Sequence, residues 1–211
     1  MFDPYEEELK EQGFDFIIGI DEAGRGPLAG PVVASAVSIS NSSFISKIAD
    51  SKKLTPKNRQ SAFKEIYENS FVGIGVMNES VIDRCNILQA TYFAMNNAVE
   101  DLVSKLPDVV TGKVGFFKKV YLLIDGNRFR SNVPYRWDTV VQGDTKVQSI
   151  ACASIIAKVT RDRIIDQYDK IYPQYGFCQH KGYPTKQHKE AIKKFGLSSI
   201  HRKSFAPCQA V

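Results

Sequence analysis

The sequence predicts an α/β fold, a mixed sheet with helices packed on it. Two observations carry this. Five short apolar, β-branched runs are bounded by turn residues, and helical stretches lie between and after them. Their order is three strands with helical pieces between and after them, then strand, strand, helix, helix, the pattern of a sheet covered by helices. The chain of 211 residues, 43% of them hydrophobic, is long enough for one well-buried domain spanning 1–211.

The first strand is expected over FDFIIGID (14–21). AGRGPLAGP (23–31) is a turn dense in glycine and proline, so VVASAVSIS (32–40) returns as a second strand in a hairpin. Thr55-Pro56 reads as an N-cap followed by proline at the first helical position, opening a helix to about Asn69. FVGIGVM (71–77) is a third strand, and a helix follows from about Glu79 to Leu106, interrupted near Asn86. VYLLID (120–125) and DTVVQGD (138–144) carry the fourth and fifth strands; Asp125 closes the fourth and Asp144 sits just past the fifth. A long helix is expected from about Lys146 to Tyr172 and a basic one from about Thr185 to Lys194. The helical, basic C-terminal part spans about 146–211.

Composition narrows the class. No apolar run reaches the roughly 18 residues of a membrane span. The opening MFDPYEEELKEQ is acidic and lacks the order of a secretion signal, so a cytoplasmic protein is expected. Cys85, Cys152, Cys178 and Cys208 are far apart and form no C-x-x-C pair, which argues for reduced thiols rather than zinc or disulfides. The net charge of +5 is unevenly spread. Residues 1–22 carry eight acids against one lysine, whereas 173–211 carry Lys181, Lys186, Lys189, Lys193, Lys194, Arg202 and Lys203 against Glu190 alone. The basic end is either a solvated helix face or a surface that meets phosphates.

Four carboxylates stand at the ends of apolar runs: Asp21 and Glu22, Asp125, and Asp144. Strand ends are where α/β folds place functional groups. If three of the strands are neighbours, these acids converge. Two like charges about 4 Å apart repel by roughly 4 kcal/mol at an effective dielectric near 20. Protonation or bound divalent cations relieve that repulsion. An all-oxygen set suits Mg²⁺ or Mn²⁺, and two such ions can hydrolyse a phosphodiester. Neighbouring strand residues point to opposite faces, so Asp21 and Glu22 share a site only if the strand ends there. The alternative is unrelated turn caps. Gly24-Arg25-Gly26 follows at once: glycine permits close backbone approach, and arginine can grip a phosphate.

DEAGRGPLAGPVVASAV (21–37) resembles the ribonuclease HII family, the bacterial type 2 ribonucleases H. The resemblance continues through DSKKLT (50–55), NILQAT (86–91), LLIDGN (122–127), QGDTKVQSIACASIIAKVTRDR (142–163), HKGYPTKQH (180–188) and IHRKSF (200–205), in the family's order and approximate spacing. It implies a ribonuclease H-like fold with a mixed five-stranded sheet. It also implies that Asp21, Glu22, Asp125 and Asp144 are the metal-binding catalytic acids, holding two ions, Mn²⁺ or Mg²⁺. Gly24, Arg25 and Gly26 would work with Tyr183 to recognise the 2′-OH at a DNA–RNA junction, and Lys52 and Lys53 would approach backbone phosphates.

The implied substrates are RNA–DNA hybrids and DNA duplexes containing ribonucleotides, cut on the 5′ side of the ribonucleotide to leave 3′-OH and 5′-phosphate. The implied roles are removal of misincorporated ribonucleotides and of primer RNA. Type 3 ribonucleases H share the acids but usually carry a lysine in the turn and an extra N-terminal domain, for which the acid at position 21 leaves no room. Four-carboxylate 3′–5′ exonucleases typically carry Asp-x-Glu, and a non-catalytic hybrid-binding module would not need all four acids. Cys152 stands where alanine is common and is read as a core thiol. His180, His188 and His201 are read as structural or phosphate-contacting, because a two-metal reaction requires no histidine. A monomer is expected, and no tail motif speaks for docking on a replication clamp.

Overall fold

The computed structural model describes residues 2–107, 111–112 and 114–209. Five strands form one mixed sheet in the order β3-β2-β1-β4-β5. These are β1 (Phe16–Ala23), β2 (Val32–Ile39), β3 (Ser70–Met77), β4 (Val120–Asp125) and β5 (Arg136–Val140). β1, β2 and β3 run antiparallel in sequence, while β1, β4 and β5 are parallel. The three acid-bearing runs are therefore neighbours, as the convergence argument required.

The helices in chain order are α1 (Tyr5–Glu11), α2 (Pro56–Asn69), α3 (Glu79–Cys85), α4 (Ile87–Ser104), α5 (Gly143–Lys146), α6 (Gln148–Ile171), α7 (Phe177–His180), α8 (Lys186–Phe195) and α9 (Ala206–Gln209). Thr55 caps α2 by accepting from the Asn58 amide at 3.2 Å. Asn86, at φ 71°, separates α3 from α4 and caps α4 through Leu88 and Gln89. The interruption expected near that residue is thus a break at a positive-φ, extended-ψ residue, a strained conformation held by the cap bonds of its own side chain.

α4 covers one face of the sheet, packing on Ile18, Ile20, Val32, Ala34, Ala36, Leu122 and Ile124. α6 and α2 cover the other face, where Cys152, Ala153, Ile155 and Ile156 meet Val37, Phe63, Ile66 and Val72. Cys152 is fully buried here, and burial pushes its thiol well up, consistent with a core role. α7 and α8 gather a separate C-terminal core around Leu28, Ile165, Phe177, Ile192 and Ile200.

Three expectations need correction. α1 had been assigned no element; its first turn is Glu6–Glu8 and its last holds Lys10, charges that suit a helix dipole, while Leu9 packs with Phe14 and Leu123. β5 begins at Arg136, two residues earlier than the apolar run, and ends at Val140. Gln142 then turns left-handed (φ 59°), and Asp144 lies just past the strand, as expected, in the short helix α5. The long helix starts at Gln148, because Val147 is extended.

Gly19 sits mid-strand under α6, where an added Cβ would overlap the backbone of Ser149 and Ile150. This close approach sets the height of α6 over β1 and hence over Asp21. Gly19→Ala is expected to destabilise the protein by roughly 3 kcal/mol. Urea unfolding measures it, and an unchanged midpoint would mean that α6 can lift away freely.

Candidate active site

The four predicted acids lie at one end of the sheet. β1 does not end at Glu22 on both sides: its ladder with β4 stops at Ile20–Ile124, but its ladder with β2 continues to Ala23–Val33. Asp21 and Glu22 therefore keep the alternation of a strand. Asp21 is buried on the α6 side with Ser154, and Glu22 opens toward α4 beside Leu88 and Tyr92. Asp21 still feels the charge of Glu22 across the strand, and Asp125 lies close enough to act on both. Among the described residues, no three His, Cys, Asp or Glu side chains close into a ligand cluster. The acids form an open edge of like charges instead.

Electrostatics binds this edge into one unit. Burial pushes the Asp21 carboxyl well above its usual range, and the charges of Glu22 and Asp125 add to that. Burial also raises Glu22; Arg25 pulls it back and Asp125 pushes it up. Asp144 is raised by burial, then by Asp125 and Asp50. Asp125 is thus the common neighbour of the other three. Its Oδ1 accepts from the Gly143 amide at 2.7 Å, which ties α5 and Asp144 to the end of β4.

Buried carboxyls that repel one another, with oxygen as the only donor, fit a hard divalent cation. Lys52 faces the same edge. Burial alone would lower its ammonium, but Asp50, Asp21, Asp144 and Asp125 together raise it. Lys53 instead lines a separate hollow with Asp50 and Asp144. Asp50 escaped the sequence reading because an acid before a turn reads as a cap. It is a cap, accepting from the Lys52 amide at 2.9 Å, but it also stands beside Asp144. Ser51 Oγ and Ser154 Oγ, 2.9 Å apart, bind this turn to α6 beneath Asp21.

The Gly24–Pro31 loop that carries this turn is held from below by two buried arginines that sequence reasoning also missed. Arg161 donates to the carbonyls of Pro31 (3.0 Å), Lys181 (3.1 Å) and Ala29 (3.2 Å). Arg202 donates to Gly30 (2.9 Å), Arg25 (3.0 Å) and Gly24 (2.6 Å). Gly24 is obligatory: its φ is +99°, and a Cβ would overlap the Arg161 side chain. A trans peptide points its C=O and N–H to opposite sides. Drawing the Gly24 and Arg25 carbonyls inward therefore turns the amides of Arg25 and Gly26 outward.

The Arg25 side chain is half exposed and reaches the largely buried Glu22 at 3.2 Å, so one face of its guanidinium remains open to solvent. The only sequence signal for Arg161 and Arg202 was their place in the KVTRDR and IHRKSF segments. Arg202 is thus no part of the basic surface that the charge count suggested.

Tyr183 reaches the same place. One cavity is lined by Glu22, Gly24, Arg25, Gly26, Lys52 and Tyr183, with a volume of about 460 Å³. The Leu28 amide donates to the Gly182 carbonyl at 2.8 Å, and the Tyr183 ring lies 3.6 Å from a Cβ position on Gly26. Of the basic C-terminal residues, Lys181 pairs with Asp166, while Lys186, Lys189, Lys193 and Lys194 on α8 are exposed.

His180, His188 and His201 are buried; His180 stacks on His188, and His188 is hydrogen-bonded to His201. Burial, followed by a neighbouring histidine's charge in His201, lowers His188 and His201 to about 4. The unfolded chain takes up their protons near pH 6.5 and the folded protein only near 4. Stability is therefore full above pH 6.5 and falls as pH drops toward 4, by roughly 3 kcal/mol per such histidine. Replacing both residues should flatten this slope relative to wild type, measured by urea unfolding between pH 7 and 4.5. A slope unchanged by the replacement would place the titration elsewhere.

Comparison with known proteins gives the family and the fold. The family model described as Ribonuclease HII matches residues 18–208. A ribonuclease HII of Chloroherpeton thalassium is 50% identical over 197 residues, 91% of this chain and 90% of that protein. The ribonuclease H2 of Pyrococcus horikoshii superposes with a TM-score of 0.68 at 25% identity, covering 92% of this chain and 96% of that one. Bst-RNase HIII in complex with Mn²⁺ superposes with a TM-score of 0.68 at 19% identity, covering 95% and 70%. The ribonuclease H fold expected from the sequence is thus the fold observed, and the chain belongs to the ribonuclease HII family of endoribonucleases.

Proposed function

We propose that this chain hydrolyses the phosphodiester on the 5′ side of a ribonucleotide, within an RNA–DNA hybrid or a DNA duplex, leaving 3′-OH and 5′-phosphate. The observation that carries this reading is that Glu22 shares a cavity with Gly24, Arg25, Gly26 and Tyr183. The acidic edge and the group that would read a sugar are thus adjacent.

Only the 2′-OH marks a ribose within DNA. A site built to bond a hydroxyl can discriminate against its absence by about 10⁴–10⁵-fold. The outward amides of Arg25 and Gly26 supply fixed donors for that hydroxyl and its flanking phosphate. Tyr183 packs against Gly26 and closes the far side, where its ring can lie against the next sugar. The Arg25 guanidinium leaves Glu22 for a phosphate oxygen, and Lys52 offers its ammonium to the strand beside the acids.

Asp21, Glu22, Asp125 and Asp144 would hold two Mg²⁺ or Mn²⁺ ions, which supply water activation and stabilisation of the leaving oxygen when bound. The support for a metal is the oxygen-only donor set, the raised carboxyls, and the Mn²⁺ complex of Bst-RNase HIII. Asp125 orients the set by anchoring α5 through Gly143. The exposed lysines of α8 suit the flanking duplex. The cellular task that follows is removal of misincorporated ribonucleotides and of primer RNA. No helix of the described residues is long and apolar enough to cross a membrane.

The test is a labelled DNA duplex with one ribonucleotide, incubated with Mg²⁺, Mn²⁺ or chelator. A single metal-dependent cut 5′ of the ribonucleotide is expected, with Asp125→Asn slower by more than about a hundredfold. Cleavage of long hybrids alone would sink the junction-reading role of Gly24–Gly26 and Tyr183. Stepwise loss from the 3′ end would sink the endonuclease reading.

A further inference from the structure

The three buried histidines do no chemistry at the acids, yet two of them end at the residue proposed to read the junction. The Ser198 amide donates to His201 Nδ1 at 2.9 Å. His201 Nδ1 is therefore an acceptor, and the proton of the neutral ring sits on Nε2. His201 Nε2 lies 3.0 Å from His188 Nε2, so His201 donates and His188 accepts. The proton of His188 then sits on Nδ1, 3.0 Å from the Tyr183 carbonyl.

Each link dictates the next, and the chain has one direction: Ser198 to His201 to His188 to Tyr183. His180 guards the other side. Its Nδ1 accepts from the Gly182 amide at 3.2 Å, its Nε2 donates to the Tyr175 carbonyl at 3.0 Å, and its ring stacks on His188 with centroids 4.5 Å apart. Its own carbonyl accepts from the Tyr183 amide at 2.9 Å. The backbone of Tyr183 is thus gripped at its N–H by the His180 carbonyl, and at its C=O by His188 together with the Thr185 amide, which donates at 2.8 Å.

We infer that His188, oriented by His201, is a positioning residue for the junction reader Tyr183, holding its ring in register with Gly26 through the Tyr183 carbonyl. The inference rests on the reading of Tyr183 given above. Its physical content is directional. What matters at position 188 is a donor where Nδ1 stands, and the acceptor toward His201 only selects the tautomer that places the donor there. A reader displaced by about 1 Å loses much of its discrimination, whereas the acids, on the sheet edge, are not displaced.

The test uses a DNA duplex carrying a short run of ribonucleotides, scored as the ratio of the cut at the junction to cuts within the run. His188→Asn keeps a donor near the Nδ1 position, and His188→Gln keeps only a group near Nε2. The Gln variant is expected to lower the ratio about tenfold while internal cutting persists, and the Asn variant to stay within about twofold of wild type. Combined with Tyr183→Ala, His188→Gln should cause no further loss, as for two residues acting as one unit.

A folded Gln variant with the wild-type ratio and only a lower melting temperature would overturn the inference. So would a loss that adds in full to that of Tyr183→Ala. If Tyr183→Ala alone leaves the ratio unchanged, the reading of Tyr183 itself fails and the inference falls with it. Should His188→Gln not fold, His201→Asn removes the Nε2 donor that sets the His188 tautomer. It is expected to lower the ratio in the same direction, and a folded His201→Asn protein with the wild-type ratio would overturn the inference equally.

Discussion

Two buried arginines hold this structure's working surface in place, and neither is paired with an acid. Arg161 comes from the long helix and Arg202 from the C-terminal segment, and both donate only to backbone carbonyls. A buried guanidinium is costly unless its donors are met. Burial, and then the charge of Arg161, lowers Arg202 to about 9. The loop between β1 and β2 satisfies these donors, but only in one conformation. The shape of the Gly24–Pro31 loop is therefore dictated from beneath by the two guanidinium forks. The glycine at position 24 follows from the same constraint, since any Cβ there would meet Arg161.

That constraint links the C-terminal helices to the sheet. Arg161 bonds Lys181 as well as the loop, and Leu28 bonds Gly182, so the segment carrying Tyr183 is docked on the loop it would work with. The neutral histidine chain then fixes the same segment from its outer side. The residues proposed to read the sugar are consequently docked on one another even though they lie more than 150 positions apart in sequence. Rigid placement matters because recognition of a single hydroxyl is a matter of fractions of an ångström.

The acidic edge is organised by a different principle. The parallel order of β1, β4 and β5 brings Asp21, Asp125 and the α5 turn side by side, and Gly19 lets α6 descend close enough to bury Asp21. Strand alternation sends Glu22 to the other face, where it shares a hollow with Asp125, so the acids are spread around the sheet edge. Their mutual repulsion, partly offset by Lys52, leaves them poised for positive charge.

The sequence by itself determined the sheet strands, the cap and span of α2, the interruption at Asn86, the four acids and the glycine-arginine-glycine turn. These features are written in local chemistry: apolar runs, N-cap residues, turn glycines, and acids that an apolar strand would not otherwise carry. Only the tertiary structure decided the start of β5, the placement of Asp144 on α5, and the inward turn of Arg202 that its basic surroundings disguised. It alone showed Asp50 beside Asp144, and the direction of the histidine chain. Each of these depends on a partner far away in the sequence, and nothing in a residue's own neighbourhood announces such a partner. An arginine reads as a surface charge until the carbonyls that surround it are known.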